Sequence, residues 1–233
     1  MPWDFWLIFL ILATMIPWRG RVRLQHLLSE PAFGTKEKLV LYGTTIAFQW
    51  ILLAILAWRA LARGLTQAEL GLGRGFDTTI VVWSLIGALA VSAFQWFNLR
   101  RLGGMSGAVP ELMRKLSERL LPQTPLESGP YAALAVTAGV CEEFVYRGFV
   151  MAALARTGMA AWIVLLLSSV LFGLAHAYQG RSGIIGTALM GLVFGVGRVV
   201  TLSLIPAMVW HACVDLVAGV AGPRFLSRRQ EHE

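Results

Sequence analysis

Charged side chains are scarce: Asp, Glu, Lys and Arg make up 14% of the 233 residues, where a soluble domain carries about 25%. That shortage excludes an ordinary water-soluble domain. Cysteine is nearly absent too, with only Cys141 and Cys213. Two cysteines inside apolar runs make neither a disulfide framework nor a Cys-x-x-Cys metal pair, and both read as small core hydrophobes. No segment repeats another, so a repeat-built transporter has no direct support. Gly71, Gly73 and Gly75 follow no strand, which leaves the phosphate-loop reading weak. The net charge of +7 and pI near 10.1 come with no nucleic-acid recognition motif, so nucleic acid is not an expected partner.

Apolar residues fill the space that charge leaves, at 57% of the chain. Crossing a hydrocarbon core of ~30 Å takes ~20 mostly apolar residues. Seven stretches qualify: Trp3 to Trp18, Leu39 to Trp58, Thr78 to Leu99, Pro130 to Ala155, Met159 to Tyr178, Gly183 to Val200 and Leu202 to Ala221. The expected fold is all-α, a polytopic membrane bundle of about seven transmembrane helices plus one interfacial amphipathic helix. Trp3, Trp18 and Trp58 at the ends of the first two spans suit an aromatic belt. The first span is short and carries Asp4. Without a basic lead-in or a small-residue cleavage site, it is expected to be an anchor, not a signal peptide.

Cations divide unevenly between the loops. Arg19, Arg21, Arg23, Lys36, Lys38, Arg100, Arg101, Arg114, Lys115, Arg119, Arg181, Arg224, Arg228 and Arg229 fall on one side. Only Arg59, Arg63, Arg74, Arg156 and Arg198 fall on the other, and Arg147 lies within a span. The positive-inside rule then places the N-terminus outside and the C-terminus in the cytoplasm. Composition divides the chain into N-terminal helices with a polar connector (1–128), a core rich in intramembrane polar residues (129–222) and a basic tail (223–233). Within the connector, Val109, Leu112, Met113, Leu116 and Leu120 recur at helical spacing opposite Glu111, Arg114, Lys115, Glu118 and Arg119. This predicts an amphipathic helix from Pro110, lying on the cytoplasmic leaflet. Gly191 and Gly195 make a small-xxx-small pair, with further notches expected at Gly186 and Gly197 for close helix packing.

Ionisable groups at bilayer depth are costly and normally mark function. Here they occur as Glu142, Glu143 and Arg147 in the fourth span, His176 in the fifth, and His211 and Asp215 in the seventh. Glu143 and Arg147 are one helical turn apart and predict an ion pair. Glu142 points about 100° away and remains free. Asp215, one turn from His211, can hold that imidazole. Counted from the hairpin near Gly158, Glu142 and His176 differ in depth by only about 3 Å of helix rise, so they can meet. A deep carboxylate beside a histidine suits general-base activation of water, with other donors stabilising an oxyanion. Access is expected from the cytoplasmic side.

These residues resemble the CPBP family, the CAAX-protease and bacteriocin-processing (Abi) group that includes the type II CAAX prenyl endopeptidases. The resemblance runs from about Pro130 to Ala221 through three ordered motifs: Glu142-Glu143-x-x-x-Arg147, Phe172-x-x-x-His176 and His211-x-x-x-Asp215. Leu70-Gly71-Leu72 also looks like the family's upstream region. The resemblance implies an intramembrane endopeptidase in the plasma (inner) membrane of a prokaryote, acting on a peptide or membrane-protein substrate. By the same resemblance Glu142 and His176 activate water, His211 and Asp215 stabilise the oxyanion, and Glu143 and Arg147 support the site. The prenyl endopeptidases have asparagine where this chain has Asp215. An ionised aspartate cannot donate to an oxyanion, so either Asp215 carries a proton or it only orients His211.

No cofactor is expected. The runner-up is zinc held by His176, His211 and one carboxylate, although no His-Glu-x-x-His helix supports it. Two other classes compete: a non-catalytic scaffold or immunity protein of the same fold, and a proton relay. Intact Glu142, His176 and His211 in their three-motif order favour hydrolysis.

Overall fold

The computed structural model describes residues 1–30, 33–104 and 111–226. Its elements are α1 (Trp3–Ser29), α2 (Thr35–Ala62), α3 (Thr78–Gly104), α4 (Glu111–Leu120), α5 (Pro125–Glu143), a π-helical turn (Phe144–Val150), α6 (Met151–Ala155), α7 (Ala161–Ala175), a 3-10 turn (Ala177–Gln179), α8 (Gly180–Thr201) and α9 (Ile205–Leu226). No strand occurs among the described residues. The protein is an all-α bundle.

Five segments, α1, α2, α3, Ala177–Thr201 and α9, are long and apolar enough to cross a membrane. The stretch from Pro125 to Ala155 runs on through the π turn without a break. With the shorter apolar α7 it makes up the seven columns expected. Boundaries moved where polar sequence still forms helix. α1 continues past Trp18 to Ser29, so Arg19, Arg21 and Arg23 sit on a helix, not in a loop, and Trp18 is not at a helix end. Leu202, expected to open the last span, is instead the turn residue between α8 and α9, with φ of 55°. Ser203 Oγ accepts the Ile205 N–H at 3.3 Å and starts α9. The expected helix start at Pro110, with Val109, and the tail residues Arg228 and Arg229 lie outside the described residues.

Close packing is set by small residues facing large ones. Trp210 of α9 lies in notches at Gly87 and Gly197, where a Cβ would run into the indole. Its Nε1 donates to the carbonyls of Trp83 (3.1 Å) and Ser84 (3.2 Å). Gly191 and Gly195 likewise make room for Phe172 and Leu165, whereas Gly186 faces open space and is not a notch. The main core joins α1, α2, the π turn and α7 through Phe5, Phe9, Leu56, Phe149 and Phe172. α4 packs across one end of the bundle: Met113 joins Leu99, Ala221 and Leu226, and Leu112 approaches Gly180. At this α4 end, buried Lys38 and Glu127 pair at 3.1 Å and tie α2 to α5.

The opposite end carries the turns after α2, α6 and α8. Here Asp4 binds Arg59 and Arg63, and Glu69 takes Arg156 through both carboxylate oxygens at 2.6 and 2.8 Å. Arg156, and after it the Thr66 N–H, bring the Glu69 carboxyl down to about 2. Because that value lies below the unfolded one of about 4.3, the clamp stabilises fully above the unfolded value and is lost as pH falls through about 2. The melting-temperature gap between wild type and Glu69→Gln in detergent should therefore stay constant from about pH 8 to pH 6 and close on acidification below about pH 4. A gap that persists to about pH 2 would mean that the ion pair contributes nothing.

Candidate active site

Two adjacent glutamates close α5, and the helix sends them in opposite directions. Glu143 is fully buried, and its Oε1 accepts from Arg147 Nη1 at 2.9 Å and from His211 Nδ1 at 2.8 Å. One carboxylate thus bridges a cation on its own helix and an imidazole on α9. A π turn begins at the next residue, and its wider coil frees the Tyr146 carbonyl to accept Ser168 Oγ of α7 at 2.8 Å. The Arg147 guanidinium lies over the Phe172 ring, 4.2 Å from its centroid. Phe194 stacks on His211 with ring centroids 5.4 Å apart. Arg147 and His211 are therefore held by aromatic faces as well as by Glu143.

Glu142 faces the other way, into a cavity. Its Oε1 accepts from Gln49 Nε2 of α2 at 2.7 Å, and its Oε2 lies 3.8 Å from His176 Nε2. His176 caps α7 and its Nδ1 lies 2.9 Å from the Phe172 carbonyl oxygen. A carbonyl can only accept, so this bond puts a proton on Nδ1, and in the neutral ring Nε2 then carries a lone pair. Glu142 Oε2 has no hydrogen-bond partner. With the ring neutral, two acceptors confront each other at 3.8 Å, too long for a direct bond.

Phe172 stands between the two histidines, 4.9 Å from the His176 ring and 5.6 Å from the His211 ring. The structure thus brings Glu142 to His176, and Glu143 to Arg147 and His211, all around one aromatic ring. Asp215 is placed less closely: its Oδ2 is 3.7 Å from His211 Nε2 and its side chain is 35% exposed. The sequence reading gave the orienting of His211 to Asp215; the closer contact is Glu143, at 2.8 Å from Nδ1, with Asp215 beside Nε2. Helical spacing shows only neighbours on one helix, and Glu143 is distant in sequence.

Sequence reasoning missed the N-terminal half of the site. Gln49 carries no charge and so drew no notice, although an amide in the middle of an apolar run is itself a signal. The cavity is about 220 Å³ and lies between α1, α2, α5 and α7. Glu142, His176, Gln49 and Tyr178 line it, and Arg19 and Arg23 lie on its wall. For the zinc runner-up, no group of three or more His, Cys, Asp or Glu side chains is arranged to hold a metal among the described residues. Both Nδ1 atoms are engaged, with Phe172 and with Glu143, which leaves only the two Nε2 atoms open.

Residues 125–217 match the family model described as Type II CAAX prenyl endopeptidase Rce1-like. The matched stretch, less than half of the chain, starts at the first residue of α5 and ends within α9, and it contains all six polar residues above. It agrees with the resemblance seen in the three motifs. Comparisons with curated proteins and with solved structures found no match.

The two glutamates should fail differently. Glu143→Gln leaves Arg147 without a counter-charge in the interior, and breaking such a buried pair costs about 3 to 5 kcal/mol. Its melting temperature in detergent should fall by many degrees, while Glu142→Gln, which strands no cation, melts close to wild type. The reverse order would exchange the structural and the free carboxylate.

Proposed function

We propose that the protein is an intramembrane endopeptidase in which Glu142 and His176 activate water against a peptide bond. The observation that carries this reading is the pair of acceptors facing each other across 3.8 Å. A water molecule between Glu142 Oε2 and His176 Nε2 donates one hydrogen to each and turns an oxygen lone pair toward a substrate carbonyl. As the oxygen attacks, its proton passes to Glu142, which delivers it to the departing amine when the C–N bond breaks. Gln49, bound to Oε1, keeps Oε2 turned toward the water. His211 has Glu143 on Nδ1, and with a proton on Nε2 it donates to the oxyanion; Asp215 stands beside that nitrogen.

The match to an Rce1-like model supports a peptide or membrane-protein substrate, and the apolar walls of the cavity, Leu12, Ile16, Phe48 and Leu52, suit a hydrophobic one. Neither requires a prenyl group, since Asp215 departs from the prenyl endopeptidases. For orientation we place the α4 end in the cytoplasm. At the opposite end Arg59, Arg63, Arg74 and Arg156 are paired with acids and Arg198 is not, which still leaves most of the cations at the α4 end. Arg19 and Arg23 put that cationic end beside the cavity, which supports substrate entry from it.

The test is a comparison of membrane-peptide termini in cells carrying wild type or Glu142→Gln. New termini should appear only with the wild type, because a positioned general base is worth about 10²- to 10⁴-fold. Purified wild type should keep its turnover after chelation. Identical termini in both strains would remove the endopeptidase reading, and activity abolished by chelator and restored by zinc would transfer it to a metalloprotease.

Gln49 gives a finer test. Gln49→Leu should lower kcat by about 10- to 100-fold, as a misplaced catalytic group does, with KM little changed. Wild-type kcat in Gln49→Leu would show that the amide does not position Glu142.

A further inference from the structure

A second cavity, about 380 Å³, opens at the end of the bundle opposite α4 and shares no lining residue with the first. Its apolar walls are formed by Met151, Ala152, Val164 and Val199 from α6, α7 and α8, and the Glu69–Arg156 ion pair also lines it. Two arginines face into it from the interior, Arg147 and Arg198. Arg147 is balanced by Glu143, yet its Nε and Nη2 have no hydrogen-bond partner. Arg198 has no such balance among the described residues. It is nine-tenths buried, its Nη2 reaches only the carbonyls of Ala68 (3.3 Å) and Glu69 (3.0 Å), and its Nε is unpartnered. No carboxylate pairs with it among the described residues, because the Glu69 side chain is already committed to Arg156.

A guanidinium buried without a counter-ion is costly, and an anion in reach removes that cost. Arginine's planar fork matches phosphate in particular. The rim adds a second chemical requirement, since Val199 and Leu202 are exposed on the bundle surface where lipid chains lie. We propose that this cavity binds a phosphate-bearing ligand, with the phosphate oxygens against Arg198 and apolar substituents along Met151 and Val164. The same oxyanion chemistry is presented by a lipid headgroup and by free phosphate; the apolar walls and lipid-facing rim favour the headgroup. The site stands whether or not the first cavity is a peptidase centre.

The full chain, purified in detergent, would be melted with phosphatidylglycerol in mixed micelles and separately with inorganic phosphate. Wild type is compared with Arg198→Gln, with Ala155→Leu, which fills the cavity but keeps Arg198, and with Arg224→Gln, which removes a cation at the α4 end. A ligand that binds only the folded state raises its melting temperature. Phosphatidylglycerol should raise it by several degrees in wild type and Arg224→Gln, and by under about one degree in Arg198→Gln and Ala155→Leu. Native mass spectrometry should show one retained lipid fewer in those two variants. An equal rise with inorganic phosphate, lost in the same two variants, keeps the site and assigns it to the free anion. An equal rise in all four proteins, or none in wild type, overturns the proposal. Should Arg198→Gln fail to fold, Ala155→Leu decides alone.

Discussion

A carboxylate with no exposed surface, held between an arginine and a histidine, is the constraint around which this bundle is arranged. Glu143 accepts from Arg147 and from His211 within 2.9 Å. Charges at this depth persist only if their partners are fixed, because the low-dielectric surroundings penalise any partner that swings away. The aromatic faces of Phe172 and Phe194 and the notch at Gly191 supply that fixity. α5, α7, α8 and α9 each contribute to it, so the helix order of the C-terminal half follows from one electrostatic requirement.

The N-terminal helices finish what that core begins. α2 brings Gln49 to the one carboxylate that Arg147 and His211 leave free. α1 and α2 also form much of the cavity wall. The turn after α7 stops early: Tyr178 packs beside Gly20, while α1 continues to Ser29. α4 lies over that turn through Leu112 and Gly180. His176, at the end of a short helix, is thus flanked by longer neighbours and by α4.

How much of this could be read from the chain depends on whether the interaction was local. Glu143 and Arg147 are one turn apart, and spacing alone named the pair seen at 2.9 Å. Depth counting brought Glu142 and His176 together because the two helices share a hairpin, and they lie 3.8 Å apart. His211 was given Asp215 as its holder because helix periodicity sees only one helix; the closer partner crosses from α5 to α9. Gln49 escaped notice because a neutral amide does not register when charge is the search criterion. The π turn was also invisible, since Phe144 to Val150 has the apolar look of any α-helical run and the extra residue per turn is set by tertiary packing.

That turn has a consequence for how the sequence tolerates change in length. A π turn acts as a phase shift, inserting one residue into the helix without moving the axis. Removing one residue from Phe144–Val150 lets the turn close to an ordinary α-helix and leaves the segments on either side close to their present phase. Met151 and Ala152 then stay on the wall of the second cavity, and the hairpin into α7 still returns His176 toward Glu142. Elsewhere in a helical protein a lost residue is absorbed by the nearest loop. Here the turn itself supplies that slack, so Phe144–Val150 withstands the loss of one residue, whereas a loss from α5 just before Glu142 turns both glutamates by about 100° against the residues that precede them.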